Sequence, residues 1–429
     1  MLIRFSIENF RSIRDLQTLS LEEPRLDHHL EWSHVLPAGN RRLLKSAGIF
    51  GPNASGKSNV LLALKGFRDF VLNSSKDGQA GEPIDAQPFR LSTTHEAAPT
   101  HLEIEFFLDG FEYRYGLEVT REQVVSEWLF RKLPKAKAAK LFTRADGKFE
   151  ISGEFFKEGR GLEPRTRDNA LFLSVCAQWN VPQAINILKW MERLRMFSGI
   201  SEPDSLGITA WHLDKPASQQ GLLELARRAD FNICDLRGKL ELINEANLPA
   251  DAPAHVRRAA AEQRYVRPEI TTSHEKRDAD GKVVGRVEFD LEKDESQGTQ
   301  KFIALSGPVT HALEEGAILL VDELDARLHP LLTRALVDLF HSPANRKHAQ
   351  LIFTAQDATL LDPERFRRDQ LWFTEKDETG ATDLYSLAEF DPAQVRADGK
   401  YSRQYLLGLF GAIPKLAHFQ EAAEYATRD

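Results

Sequence analysis

The 429-residue sequence holds only two cysteines, Cys176 and Cys234, and neither sits in a metal-type or disulfide-framework spacing. That scarcity points to a reducing, cytoplasmic setting with two ordinary buried thiols. Long apolar runs are missing as well: none approaches the roughly 20 residues a bilayer-spanning helix needs, so no membrane span is expected. The N-terminus, Met1-Leu2-Ile3-Arg4-Phe5-Ser6, lacks the apolar stretch and small-residue cleavage site of a signal peptide and alternates like a strand. There is no excess of positive charge. A formal net charge of −8 argues against a wholly basic nucleic-acid binder while leaving room for a local basic groove. Sustained heptads are absent, which excludes an extended coiled coil. With no Cys/His cluster and no H-E-x-x-H, no nuclease constellation is recognisable.

What is present is a globular composition, 42% apolar against 28% charged, and enough chain for two lobes with their own cores. The most informative stretch is Gly51-Pro52-Asn53-Ala54-Ser55-Gly56-Lys57-Ser58, between the apolar run Ala47-Gly48-Ile49-Phe50 and a helix-like run from Asn59 to Leu72. Its two glycines allow a tight backbone turn, so that successive N–H groups and the following helix N-terminus face one anion. The spacing is that of a P-loop. Lys57 would meet the β- and γ-phosphates of ATP, and Ser58 would offer a hydroxyl to Mg²⁺. A chance glycine-rich turn is the bland alternative.

Far downstream, Gly316-Ala317-Ile318-Leu319-Leu320-Val321-Asp322-Glu323 is a continuous apolar run ending in two carboxylates. It reads as a buried parallel strand that delivers them to the carboxyl edge of a sheet. There Asp322 would hold Mg²⁺ through water, and Glu323 would take the proton of the attacking water. A solvated strand end is the alternative.

Leu2 to Asn9 reads as a first strand, followed by Asn9-Phe10-Arg11-Ser12, where Arg11 and Ser12 either reach nucleotide or cap a turn. Leu16 to Leu21 reads as a second strand and Asp27 to Arg42 as loop. Two pairs of alternating segments, 101–108 with 111–119 and 141–144 with 148–151, flank Asp-Gly turns and predict a small β-lobe of hairpins. Ala170 to Phe197 and Gln219 to Ile243 read as a compact helical insert. Basic stretches at Arg131 to Lys140 and at Arg257, Arg258, Arg264 and Arg267 are solvated faces by default, or phosphate-backbone contacts.

Ser296-Gln297-Gly298, opening an apolar helix shortly before the acidic strand, has the chemistry of a second phosphate cradle. With the P-loop already serving one nucleotide, this cradle makes sense in trans. A helix to about His341, a strand Ala349 to Asp357, a closing hairpin at 370–374 and 382–387, and an apolar tail from Tyr401 to Leu416 complete the chain.

In this order, Asn9 to Ser12, Gly51 to Ser58, Ser296 to Gly298, Asp322-Glu323 and Asp325 resemble the ABC-type ATPase heads of the SMC, RecF and OLD group. Val321-Asp322-Glu323-Leu324-Asp325, Leu328-His329-Pro330 and the tail Tyr405 to Pro414 resemble more narrowly the abortive-infection ATPases of the AbiL and RloA type, seen also as the ATPase subunit of PARIS-type phage defence. The resemblance implies an α/β P-loop NTPase with an ABC-type head, an antiparallel β-lobe and a compact helical insertion, divided at 1–180, 181–264 and 265–429. It implies a homodimer, or a higher homo-oligomer, that sandwiches ATP and Mg²⁺. In that sandwich Asn53, Ala54, Ser55, Gly56, Lys57, Ser58, Asn59, Arg11 and Ser12 of one subunit meet Ser296 and Gly298 of the other, with Asp325 near the seam. Where such heads place a switch histidine, this chain has Gln356, which can hydrogen-bond a phosphate or water but cannot carry a proton as imidazolium does, so slow hydrolysis is expected. Gln87 and Gln178 both stand as the group's Q-loop glutamine. The function implied is an ATPase switch that controls a separate effector protein in anti-phage defence. A RecF- or SMC-like ATPase acting on DNA is the alternative.

Overall fold

The computed structural model describes residues 1–24, 30–133, 136–198, 203–243, 266–391, 395 and 401–414. Strands β1 (Leu2–Glu8) and β2 (Gln17–Ser20) open the chain, the hairpin β3 (Val35–Ala38) and β4 (Arg41–Leu44) follows, and β5 (Ser46–Phe50) leads into the P-loop. Next come β6 (Thr100–Leu108), β7 (Phe111–Val119), β8 (Val124–Lys132), β9 (Ala139–Ala145) and β10 (Lys148–Ile151). After two helices lies β11 (Leu194–Ser198), then β12 (Ile233–Leu242), β13 (Val266–Arg277) and β14 (Val283–Asp290). The last strands are β15 (Ile318–Asp322), β16 (Gln350–Thr354), β17 (Leu371–Lys376) and β18 (Thr382–Ser386).

Two large sheets sandwich the P-loop helix, Lys57–Asn73. One is parallel except at its last edge, in the order β11-β15-β16-β5-β17-β18. Its central strands β5 and β16 are buried at every residue, as parallel strands covered on both faces must be. The other is antiparallel, in the order β10-β9-β8-β7-β6-β1-β2. Between them the helix buries Val60, Leu61, Leu64, Phe67 and Val71 at helical spacing. Phe67 meets Phe5 of β1 and Tyr115 of β7 edge-on or tilted, with ring centroids 5.8 and 5.7 Å away. The β-lobe is therefore one wall of the core around the P-loop helix, with the N-terminal strand inside it. On the far face of the parallel sheet, helices Gln297–Glu315 and Pro330–His341 pack Phe302, Leu305, Leu336 and Phe340 against Phe50, Leu319, Val321 and Phe353.

The expected helical insertion is corrected by two strands. Helices Phe172–Gln178 and Pro182–Met191 form as expected, but Leu194-Arg195-Met196-Phe197 alternates, and it pairs in parallel with β15 as the edge of the main sheet. Helix Pro216–Arg228 stops where Asp230 and Asn232 take left-handed φ values of 62° and 55°. Both are residue types that tolerate that conformation. The chain then pairs as β12 with β13, and β13 with β14. Asp27 to Arg42, read as loop, holds β3 and the turn at Gly39 and runs into β4, which continues to Leu44. Lys135, Arg257, Arg258, Arg264 and the tail beyond Pro414 lie outside the described residues. Cys176 is a buried thiol as expected, whereas Cys234 is half-buried and donates its Sγ–H to the Ser273 carbonyl at 3.1 Å.

Helix Gln297–Glu315 carries Pro308 in its interior. Proline has no N–H, so the Ala304 carbonyl one turn back loses its helical partner. Thr209 of helix Pro203–Leu213 replaces it, donating Oγ1–H to Ala304 O at 2.8 Å. The close approach requires glycine at 307, where a Cβ would lie 2.4 Å from the Thr209 Cα.

Candidate functional site

The P-loop turns between β5 and its helix with Ala54 and Gly56 at left-handed φ values of 62° and 108°. At Gly56 a side chain is excluded twice over, because a Cβ would lie 2.2 Å from Thr382 Oγ1. Behind the loop runs an ordered chain of hydrogen bonds. The Asn59 amide donates to Ser12 Oγ at 2.7 Å, Ser12 and Thr382 hydroxyls meet at 2.8 Å, and Thr382 Oγ1 donates to the Ser55 carbonyl at 2.8 Å. Since Thr382 spends its one proton on Ser55, Ser12 must donate to Thr382, and each link polarises the next. Ser55 Oγ adds a 2.7 Å contact to Thr374 Oγ1. Ser12, Asn59 and Ser55 thus brace the loop from behind, while Asn53 and Ala54 are exposed at its tip.

Lys57 donates its ammonium to the Gly51 and Pro52 carbonyls at 2.8 and 3.0 Å, closing over the loop's own mouth. Burial pulls its pKa down, against the opposing pull of Glu323, Asp322 and Asp325. On the other side of that mouth, Ser58 Oγ donates to Asp322 Oδ1 at 2.9 Å and Thr354 Oγ1 donates to the same oxygen at 2.6 Å. Thr354, buried at the end of β16, also accepts the Glu323 N–H at 2.7 Å. One hydroxyl thereby orients both acidic residues. The hard oxygens of Ser58 and Asp322, converging next to a phosphate-type loop, fit a hydrated Mg²⁺. Loop residues Gly51 to Ser55 line a cavity of about 820 Å³ together with Gln356, Lys376 and Tyr405, room enough for a nucleotide.

Glu323 has a left-handed backbone, φ 53°. Past it, Asp325 Oδ2 accepts the N–H groups of Gln356 and Asp357 at 2.8 and 2.7 Å, which fixes the segment after β16 to the turn after β15. Gln356 itself is exposed at the cavity. Lys301, buried on helix Gln297–Glu315, donates to the carbonyls of Glu323 and Ala326 at 2.9 and 2.5 Å.

The structure brings Lys57, Ser58, Asp322, Glu323 and Gln356 to one place. It does not bring Ser296 and Gly298 there: exposed Ser296 caps its own helix through Thr299 N–H at 3.2 Å, and Gly298 lies against the Arg327 carbonyl. Arg11, with φ 50°, bonds Gln87 twice, backbone to backbone at 2.7 Å and Nε to Oε1 at 2.6 Å. Both line a neighbouring cavity of about 880 Å³ with Arg90, Arg121 and Lys376. Gln178 is exposed at the end of a helix whose Ser174 contacts Ser75, at the opposite end of the P-loop helix. Of the two Q-loop candidates, Gln87 is the one near the loop. Sequence reading missed Thr382 and Lys301, which carry no local signal, and gave no role to Thr354, whose signal was a hydroxyl directly after the apolar run Leu351-Ile352-Phe353.

Among the described residues, no helix is long and apolar enough to cross a membrane. No curated protein matches the chain. Among solved structures, the SMC head domain from Thermotoga maritima is similar at 13% identity and a TM-score of 0.40, over 90% of this chain and 98% of that one. The recombination mediator RecF bound to ATP, of the RecFOR pathway, is similar at 14% identity and a TM-score of 0.32, over 90% and 99%. Likenesses this remote carry over neither substrate nor partner. The ATPase family described as "AAA domain, putative AbiEii toxin, Type IV TA system" matches residues 46–362, from β5 through the acidic strand and β16, and the chain belongs to that family.

Proposed function

We propose that the chain is an ATP-driven switch in which two copies close head to tail over two nucleotides and so control a separate effector of a prokaryotic abortive-infection system. The observation that carries the switch is the division of the site. Lys57, Ser58, Asp322 and Glu323 are assembled within one chain, while at the second phosphate cradle Ser296 is exposed and spent on capping its own helix, and Gly298 is half-buried against the Arg327 carbonyl. In this reading the loop N–H groups and Lys57 hold the phosphates. Ser58 and Asp322 would hold Mg²⁺, whose charge would offset that on the transferred phosphoryl group. Glu323 accepts the proton of the water whose oxygen bonds the γ-phosphorus as the bridging P–O bond to ADP breaks. Gln356 orients that water without taking its proton, which favours a slow, timer-like turnover. The family's description by an AbiEii toxin supports a place in phage defence, as does the resemblance to AbiL- and RloA-type ATPases.

Complementation tests the arrangement. Lys57→Ala and Ser296→Arg are each expected to be inactive alone, and a one-to-one mixture to regain roughly a quarter of wild-type turnover, because about half of all dimers are mixed and each of those keeps one of its two composite sites intact. No recovery contradicts it. The DNA-acting reading predicts turnover that appears with DNA and falls steeply with salt. The exposed basic side chains Arg237, Lys239 and Arg277 give it little support, being paired with Asp235, Glu269 and Glu275. A pull-down from a native host that recovers DNA and no protein would sink the effector proposal.

A further inference from the structure

We propose that Lys301 is a positioning residue for hydrolysis, holding Glu323 in its left-handed conformation and tying that conformation to the first turns of the helix that carries Ser296 and Gly298. The inference rests on the reading of Glu323 as the base. Lys301 is fully buried, and an ammonium taken out of water is costly unless its donors are satisfied. Here two of them go to the turn after the acidic strand, to the carbonyls of Glu323 and Ala326. A left-handed backbone is strained for a non-glycine residue and persists only where its surroundings over-determine it. At Glu323 the constraints come from both sides: its N–H is held by Thr354 and its carbonyl by Lys301.

The same helix touches the same turn a second time. Gly298, one helical turn before Lys301, lies so close to the Arg327 carbonyl that a Cβ there would come within 3.1 Å. Ser296 caps that first turn. A displacement of the cap, such as engaging the phosphate held by the other subunit would impose, is therefore transmitted by a rigid helical turn through Lys301 to Glu323 of the same subunit. In a head-to-tail pair that Glu323 serves the other nucleotide. Lys301 would thus let one site's occupancy set the geometry of hydrolysis at its neighbour.

The test is steady-state ATP turnover of Lys301→Met, Lys301→Arg and Glu323→Gln in the full chain, with circular dichroism confirming the fold. Lys301→Met is expected to lower kcat by about tenfold to a hundredfold, the range that a misplacement of about 1 Å produces, with KM for ATP within about twofold of wild type. Lys301→Arg, which keeps a cation that can reach both carbonyls, should recover most of kcat. A purely structural lysine would move kcat and KM together or would not distinguish arginine from methionine. Should Lys301→Met not fold, Lys301→Gln, whose amide still reaches one carbonyl, takes its place with an expected loss of about tenfold.

Coupling is read by adding Ser296→Ala. If the signal passes through Lys301, the double variant loses no more than the slower single one, whereas losses that multiply overturn the coupling. A Lys301→Met kcat equal to wild type while Glu323→Gln is dead overturns the inference alone. Full turnover in Glu323→Gln overturns the reading of the base and the inference with it.

Discussion

Replacing Thr354 by valine keeps the shape of a buried side chain and deletes one hydroxyl. That hydroxyl donates to Asp322 Oδ1 and accepts from Glu323 N–H. The first is a hydrogen bond to a carboxylate, of a class contributing about 1.5–3 kcal/mol, and losing the second leaves a donor unsatisfied at a cost of about 1–3 kcal/mol. The two share one oxygen and do not add. If about 2 kcal/mol of the loss falls on the transition state, kcat drops roughly thirtyfold. The Mg²⁺ concentration for half-maximal rate should rise, because Asp322 keeps Ser58 but loses its second anchor. KM for ATP should stay within about threefold, since the loop and its bracing chain are untouched. The assay is turnover against Mg²⁺ at saturating ATP, with Thr354→Ser as the control that restores the hydroxyl and most of the rate. Turnover of Thr354→Val within about twofold of wild type at every Mg²⁺ concentration would refute the reasoning.

Gln356→His, which puts a proton-carrying group at an exposed position already anchored by Asp325, is expected to raise kcat several-fold in the same assay; an unchanged rate would contradict the proposal that Gln356 slows turnover. Thr209→Val strands the Ala304 carbonyl that Pro308 leaves open, and should lower stability by about 1–3 kcal/mol in urea unfolding while leaving turnover at 25 °C intact. His212 is held at a pKa of about 4, by burial first and then by His311 and Lys215. His341 is pushed well below its usual value by burial, with His34 and Lys45 adding to the effect. In the unfolded chain both titrate near 6.5, so below that pH the unfolded state binds the extra protons. Stability should be complete above about pH 6.5 and fall as pH drops toward 4, with a shallower fall in His341→Gln, measured as unfolding midpoints across that window.

The parts legible in the sequence are those whose cause is local. The P-loop, the apolar strand ending in Asp322 and Glu323, and the Asp-Gly hairpins each carry their geometry in a few adjacent residues. What escaped depends on partners distant in sequence. Leu194–Ser198 is a strand because β15 pairs with it, and Ile233–Leu242 because β13 does. The brace behind the P-loop joins Ser12 to Thr382 across almost the whole chain, and nothing near Thr382 announces it. Arg11 and Ser12 illustrate both outcomes: the motif that contains them was visible, but only the fold separates the brace at Ser12 from the Gln87 pairing at Arg11. Nothing beside Lys301 in the sequence announces the turn after β15 that closes over it.

Whether ATP closes two copies of the chain over a composite site is read most directly from the solution mass of Glu323→Gln, with and without Mg²⁺ and ATP, beside Lys57→Ala. Retained ATP should drive Glu323→Gln into a stable dimer or a larger even assembly, while Lys57→Ala keeps its nucleotide-free mass. A Glu323→Gln mass that ignores saturating Mg²⁺ and ATP would contradict the ATP-closed sandwich.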